Sequence, residues 1–170
     1  MANLNELATR IHNLNAKWWT DMETGKPLER NRGELLMLVI TELSEAVEGI
    51  RKNLMDDKLP HRRMEEVEMA DAYIRILDYA AGFKISPLEG LDVDFFFDDN
   101  KAEALLIISR SVSGIWFNTS SVSYVISLIE NYCKKFSLDL DGAVEEKLAY
   151  NMTREDHTHE ARRLANGKKF

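Results

Sequence analysis

Four acidic residues are spaced so that they could bind a divalent metal ion. Glu42 and Glu45 are three residues apart, and Glu68 and Asp71 repeat this spacing further along the chain. Because residues i and i+3 share a face of an α-helix, each pair presents two carboxylates on one side of its helix. If the two helices face each other, all four carboxylates converge, and such a group in an apolar interior needs a cation. Ligands that are all oxygen favour Mg²⁺, with Mn²⁺ as the alternative, over zinc.

Apolar residues recur with helical spacing along most of the chain. We predict helices over about 3–19, 31–53, 61–81 and 101–117, a fifth after a break at 118–121, and a sixth over about 142–151. Asn3 and Asn31 are expected to cap the first two helices, and Gly82 to end the third in the left-handed conformation. The segment 86–100 is expected to be an apolar connection, and the polar tail from about 155 to 170 is expected to fray.

No segment shows the period-two alternation of a β-strand, so the predicted fold is all-α, a single helix-bundle domain over residues 1–170. Its second and third helices should form a central antiparallel hairpin that carries the acids. On a helical wheel Glu42 lies inside the apolar arc, whereas Asp71 borders the arc of its helix and Glu68 lies further out. The competing explanation is that these acids belong to solvated faces, and that is what we expect of their neighbours Glu48, Glu65 and Glu66.

Composition excludes several classes of protein. The chain has 170 residues, of which 45% are hydrophobic and 30% charged, enough for one hydrophobic core. Its net charge of −7 gives no basic surface for nucleic acid. The longest apolar run, 35–40, is far too short to span a bilayer. The single cysteine, Cys133, excludes an intrachain disulfide and fits a reducing compartment, so we expect a cytoplasmic protein.

Two segments carry a family resemblance, ELLMLVITELSEAVEGIRKNLMDDKLP and EEVEMADAYIRILDYA. They resemble the MazG-like members of the all-α nucleoside triphosphate pyrophosphohydrolase superfamily. The resemblance extends to NAKWWTDMETGKPLERN upstream and EEKLAYNMTREDH downstream, and is weak over 88–120. It implies that the four acids bind Mg²⁺, that the enzyme splits a nucleoside triphosphate into a monophosphate and pyrophosphate, and that the chain assembles as a homo-dimer or homo-tetramer.

This chemistry also fits the residues themselves. An acidic site can accept a triphosphate only through metal ions that neutralise the phosphate oxygens and position a water. Cleavage at the α-phosphorus is implied by the resemblance alone, because the spacing does not distinguish it from cleavage at the γ-phosphorus. We take Glu45 as the candidate general base.

Basic residues are expected to bind the phosphates. Lys52 ends the second helix, and Lys147, Asn151 and Arg154 follow at i, i+4 and i+7 on the last one. A solvated basic stripe near a helix C-terminus would look the same. The resemblance favours a phosphate clamp, because K-x-x-Y followed by N-x-x-R is similar to the C-terminal signature of the family.

Two tryptophans could stack on a nucleobase. Trp18 lies on the apolar stripe of the first helix and is expected in the core, which leaves Trp19 as the better stacking candidate. Arg75 is expected to pair with Asp71 or Asp78.

One rival function stays open. A catalytically silent helical module on the same scaffold could bind nucleotide or a partner protein. A di-iron bundle is disfavoured, because the chain lacks the Glu-x-x-His pairs that such a site needs. The sequence does not identify the base, or decide between ribose and deoxyribose, or between canonical and non-canonical substrates.

Overall fold

The described part of the chain folds into α-helices. A computed structural model describes residues 3–86, 88, 97–116 and 120–168, with the side chains of Asp156 and His159 outside that description. The helices are α1 (Leu4–Leu14), α2 (Arg32–Lys52), α3 (Met64–Gly82), α4 (Lys101–Gly114), α5 (Ser121–Lys135), α6 (Leu140–Thr153) and α7 (His159–Arg163). Two short 3₁₀ turns cover Ala16–Trp18 and Glu155–His157. β-Pairing over these described ranges is limited to isolated bridges, which confirms the all-α prediction.

The helix starts were predicted better than the helix ends. Asn3 and Asn31 cap α1 and α2 by accepting backbone N–H groups of the first turn, as expected. Gly82 was wrongly predicted as a left-handed cap, because it is the last residue of α3 and Lys84 adopts the positive φ instead. Glycine is needed at this position for space, since a Cβ would lie 2.2 Å from the ring of Trp19.

Helix α3 is the centre of the bundle. It packs against α1, α2, α5 and α6, while α4 packs against α2 and α5. Because neighbours surround α3, apolar side chains on several of its faces are fully buried. These include Val67, Met69, Ala72, Ile76 and Leu77. A polar side chain on this helix therefore enters the core even when it lies outside the main apolar stripe.

Helices α2 and α3 make close contact. A Cβ added at Gly49 would lie 2.9 Å from the Cβ of Met64, so glycine permits the close approach of the two helices at this point. Further along both helices, the carboxylate of Glu42 contacts the guanidinium of Arg75. These contacts place the acid-bearing parts of the two helices side by side.

The described part of the C-terminal tail, up to residue 168, packs against the rest of the chain, contrary to our expectation that the tail frays. Arg162 is 2% exposed, and its guanidinium lies 4.1 Å from the ring centroid of Trp18 while Nη1 donates to the carbonyl oxygen of Lys17 at 2.6 Å. The tail therefore packs on the 3₁₀ turn after α1. That turn also shortens α1, which ends at Leu14 rather than near residue 19.

Two predictions fall largely outside the described residues. The connection at 86–100 is described only at its ends, where Leu88 and Phe97 are buried in the core. The predicted break at 118–121 is described only from residue 120 onward. Among the described helices, none is both long enough and apolar enough to cross a membrane.

Candidate metal centre

Three of the four predicted acids converge on one point. Glu42 from α2 and Glu68 and Asp71 from α3 each offer a carboxylate oxygen, and the three oxygens lie within 4.8 Å of one another. Glu42 and Glu68 are each 6% exposed, and Asp71 is half-buried. The three side chains form what we call the acid cluster.

Burial and the charges of neighbouring acids make Glu68 and Asp71 hard to ionise. Burial, followed by the charges of Asp71 and Glu42, raises the pKa of Glu68 to about 9. Burial also raises the pKa of Asp71, to about 6, although the nearby Lys147 ammonium opposes the rise. Glu68 shares a hydrogen bond with Glu42, which favours its neutral form. None of the ion pairs found in the described part of the chain involves Glu68.

The sequence predicted the burial of Glu42 correctly and that of Glu68 incorrectly. The inward position of Glu42 is confirmed. Glu68 was wrongly placed at the boundary, because the wheel of α3 shows only its main apolar stripe and not the four helices that surround it.

Glu45 lies outside the acid cluster. Its side chain is exposed on α2, and partial burial followed by the charge of Glu42 raises its pKa, so it lies near the rim of the cluster. A step of three residues turns a helix by about 300°, which leaves Glu45 about 60° away from Glu42 toward solvent. The prediction that four carboxylates meet at one point is thus correct for three of them in this structure.

Two basic side chains reach into the acid cluster. The Nε of Arg75 donates to Oε1 of Glu42, and the Nζ of Lys147 lies 2.7 Å from Oδ2 of Asp71. Lys147 is only 4% exposed. The expectation that Arg75 pairs with an aspartate was wrong, because its guanidinium extends across to α2 instead.

The three residues of the predicted phosphate clamp do not all lie on one helix face. Lys147 points into the acid cluster, and Asn151, one turn later, is half-buried with an Oδ1 that has no hydrogen-bond partner among the described residues. Arg154 follows the end of α6 in an extended conformation, and its guanidinium lies 5.7 Å from the ring centroid of Tyr150. The i+7 relation fails because the helix stops at Thr153.

Lys52, the other predicted phosphate ligand, is exposed at the end of α2. Its Nζ forms an ion pair with Glu48 one turn earlier. Glu48 is therefore a surface acid, as expected.

Both tryptophans are packed by the protein itself. The indole N–H of Trp19 donates to Oδ1 of Asp78 at 3.1 Å, and its ring meets the edge of His12 at 5.0 Å between centroids. Trp18, expected in the core, is half-buried beneath Arg162 and beside His157. The structure brings neither ring into direct contact with the acid cluster.

Another buried acid shows how this fold satisfies a carboxylate that has a structural role. Glu65, which we expected to be solvated, is buried and accepts a hydrogen bond from the Tyr132 hydroxyl at 2.7 Å and one from Lys101 Nζ at 2.6 Å. Its partners are distant in sequence, so no local pattern could have identified them. Glu68 forms no such ion pair with the described residues. In this respect it differs from Glu65, whose charge is balanced by Lys101.

The acid cluster fits a hard dication. It consists of carboxylate oxygens alone, which suits Mg²⁺ or Mn²⁺ rather than zinc. Comparison of the chain with protein-family models, with curated proteins and with solved structures gave no match.

Proposed function

We propose that this chain is a Mg²⁺-dependent nucleoside triphosphate pyrophosphohydrolase of the MazG-like all-α type, with Mn²⁺ as an alternative metal. Its products are a nucleoside monophosphate and pyrophosphate. The proposal is supported above all by Glu68, which is buried, forms no ion pair with any described residue, and has a carboxylate oxygen within 4.8 Å of those of Glu42 and Asp71. The resemblance of α2 and α3 to that superfamily supports the choice of substrate.

The energetics of burial favour a metal site. An ionised carboxylate without a partner in a protein interior costs several kcal/mol. Glu42 has Arg75 and Asp71 has Lys147, so this cost falls on Glu68, which forms no ion pair with the described residues. Selection for stability alone would replace Glu68 with an apolar residue or provide it with partners such as those of Glu65. A bound Mg²⁺ supplies charge neutralisation for phosphate oxygens and lowers the pKa of a coordinated water.

The side chains of this protein then have separate roles. Glu42, Glu68 and Asp71 hold the metal on an antiparallel pair of helices, with Glu45 as a further ligand from the rim. We assign Glu45 as the general base, because its exposed carboxylate can accept the proton of the attacking water and its raised pKa suits that role.

Basic residues on the α6 side complete the site. Lys147 lies beside Asp71, and Asn151 follows one turn later with an Oδ1 that has no hydrogen-bond partner among the described residues. Toward a phosphate oxygen the Asn151 carboxamide would donate through its Nδ2–H group. We propose that these two residues, with Arg154 and the more distant Lys52, orient the triphosphate. Trp19 remains the candidate for stacking on the base, although its ring already packs against Gly82 and Phe83.

We also propose that the enzyme is a cytoplasmic homo-oligomer. Large apolar side chains are exposed on α2 and directly after α4, where Met37 is 56% and Trp116 57% exposed. The ring of Trp116 contacts the start of α2 at Gly33, so the two exposed groups belong to neighbouring parts of one surface. A second copy of the chain would cover such a patch.

Pyrophosphate release tests the activity. Purified protein is incubated with Mg²⁺ and a panel of canonical, deoxy and modified triphosphates, in parallel with Glu68→Gln and Glu42→Gln. Each substitution should lower turnover by at least about 100-fold, because loss of a metal ligand exceeds the usual effect of losing an outer-shell group. The matched control, Glu103→Gln on the exposed face of α4, should keep full activity. Nucleotide binding without turnover of any substrate would refute the enzyme and favour the silent binding module.

A further inference from the structure

Two positive charges of the protein already sit against the acid cluster. Arg75, from α3, donates through Nε to Glu42, and Lys147, from α6, contacts Asp71 at 2.7 Å. Each cation therefore holds a different carboxylate of the cluster. A dication bound to these carboxylates would neutralise their charge in place of Arg75 and Lys147.

The charge balance explains why both cations are present. Three buried or half-buried carboxyls face two basic side chains, so the cluster holds one acid more than it has internal cations. Removing both cations would leave the acids uncompensated in a low-dielectric environment. A dication can replace Arg75 and Lys147 only if these side chains can move to solvent or to another negatively charged group.

Arg75 is freer to move than Lys147, which is only 4% exposed. Arg75 is 39% exposed, so its guanidinium can leave Glu42 for solvent without crossing the core. It lies one helical turn after Asp71 and remains on the same side of α3 when released. Its planar fork matches two phosphate oxygens, a geometry that lysine cannot reproduce.

We propose that Arg75 and Lys147 are internal counter-ions that a dication displaces, and that the displaced Arg75 then binds the triphosphate. This inference rests on the proposed function of the acid cluster. It makes Arg75 a phosphate-binding residue that becomes available only after the metal has bound. Because binding linkage is reciprocal, a triphosphate that captures Arg75 also tightens metal binding.

The metal affinity of Arg75 variants in the absence of substrate tests this role. Removing a counter-ion should tighten metal binding, whereas removing a structural residue should weaken it. Mn²⁺ is titrated calorimetrically into the full chain, into Arg75→Met and into the control Arg51→Met, whose guanidinium pairs with Glu48 on the surface of α2. Arg75→Met should bind Mn²⁺ about tenfold more tightly, a typical size for such a coupling, while Arg51→Met should match the unchanged chain. A merely structural arginine would give weaker Mn²⁺ binding when it is removed.

A second titration follows the released cation. A non-hydrolysable triphosphate analogue is added at saturating Mn²⁺, and Arg75→Met should bind it about tenfold more weakly than the unchanged chain. Arg75→Lys keeps a positive charge and should restore most of the ordinary Mn²⁺ affinity. If Arg75→Met proves unstable, Arg75→Gln serves in the same titrations.

The outcomes separate this inference from the proposed function. If the unchanged chain binds Mn²⁺ and Arg75→Met binds it equally or more weakly, the counter-ion role is wrong while the metal site stands. If neither protein binds Mn²⁺, both proposals are wrong. If only Arg75→Met binds Mn²⁺, the counter-ion role is supported in its strongest form.

Discussion

The metal-free protein should lose stability as the pH rises from about 5 to about 8, and Glu68→Gln should remove most of that loss. In the folded chain the pKa of Glu68 is raised from its ordinary value of 4.5 to about 9, first by burial and then by the charges of Asp71 and Glu42. Between these two pKa values the folded chain keeps a proton that the unfolded chain releases. Raising the pH in this window therefore favours unfolding.

The size of the effect follows from proton linkage. One retained proton lowers the free energy of unfolding by about 1.4 kcal/mol for each pH unit. Over about three pH units the loss from Glu68 has an upper limit of roughly 4 kcal/mol, which is a large share of the stability of an ordinary domain. The positive charge of Lys147 opposes the raised pKa of Glu68, and the value of about 9 already includes that effect.

Urea unfolding measures this directly. The free energy of unfolding is determined with a chelator present at several pH values for the unchanged chain, for Glu68→Gln and for Glu103→Gln, an exposed control on α4. The control should show the same fall in the free energy of unfolding as the unchanged chain. The free energy of unfolding of Glu68→Gln should depend less on pH, and the dependence that remains should come from Asp71, whose pKa is also raised. An identical pH dependence in all three proteins would mean that Glu68 ionises as easily in the folded as in the unfolded chain, and that its carboxyl is not the source of the pH dependence.

Three further substitutions test the contact between α2 and α3 and the packing of the C-terminal tail. Gly49→Ala should destabilise the fold by about 1–3 kcal/mol in thermal unfolding, because its Cβ would lie 2.9 Å from the Cβ of Met64. Gly114→Ala, where no atom of the described residues lies within 4 Å of a new Cβ, should instead stabilise by about 0.5 kcal/mol. Equal effects of the two changes would contradict the close helix contact. Arg162→Ala should release the tail from Trp18, shift tryptophan emission to the red and speed proteolysis of the tail. Unchanged emission and proteolysis would show that the tail is held in another way.

Local patterns in the sequence were sufficient for most of the helices and for part of the site. Capping by Asn31 involves residues a few positions apart, so it can be predicted without knowledge of the fold. The burial of Glu42 was predictable for the same reason, because its neighbours on α2 define one apolar face. The four-acid spacing correctly identified three side chains that meet.

Features that depend on the whole bundle were not predictable from local patterns. The burial of Glu68 depends on how many helices surround α3, and the pairing of Lys147 with Asp71 joins residues 76 positions apart. Arg162 looked like part of a solvated tail, because nothing in its own segment reveals the ring of Trp18 beneath it. Long-range contacts of single charged side chains leave no periodic signal.

The most direct test of the metal centre is a crystal structure of the chain soaked in Mn²⁺, with the ion located by anomalous scattering. If the acid cluster is the metal centre, the anomalous peak should be coordinated by carboxylate oxygens of Glu42, Glu68 and Asp71, with Arg75 and Lys147 moved off their acidic partners. A peak only at exposed surface acids, with both ion pairs intact at full Mn²⁺ saturation, would contradict this assignment.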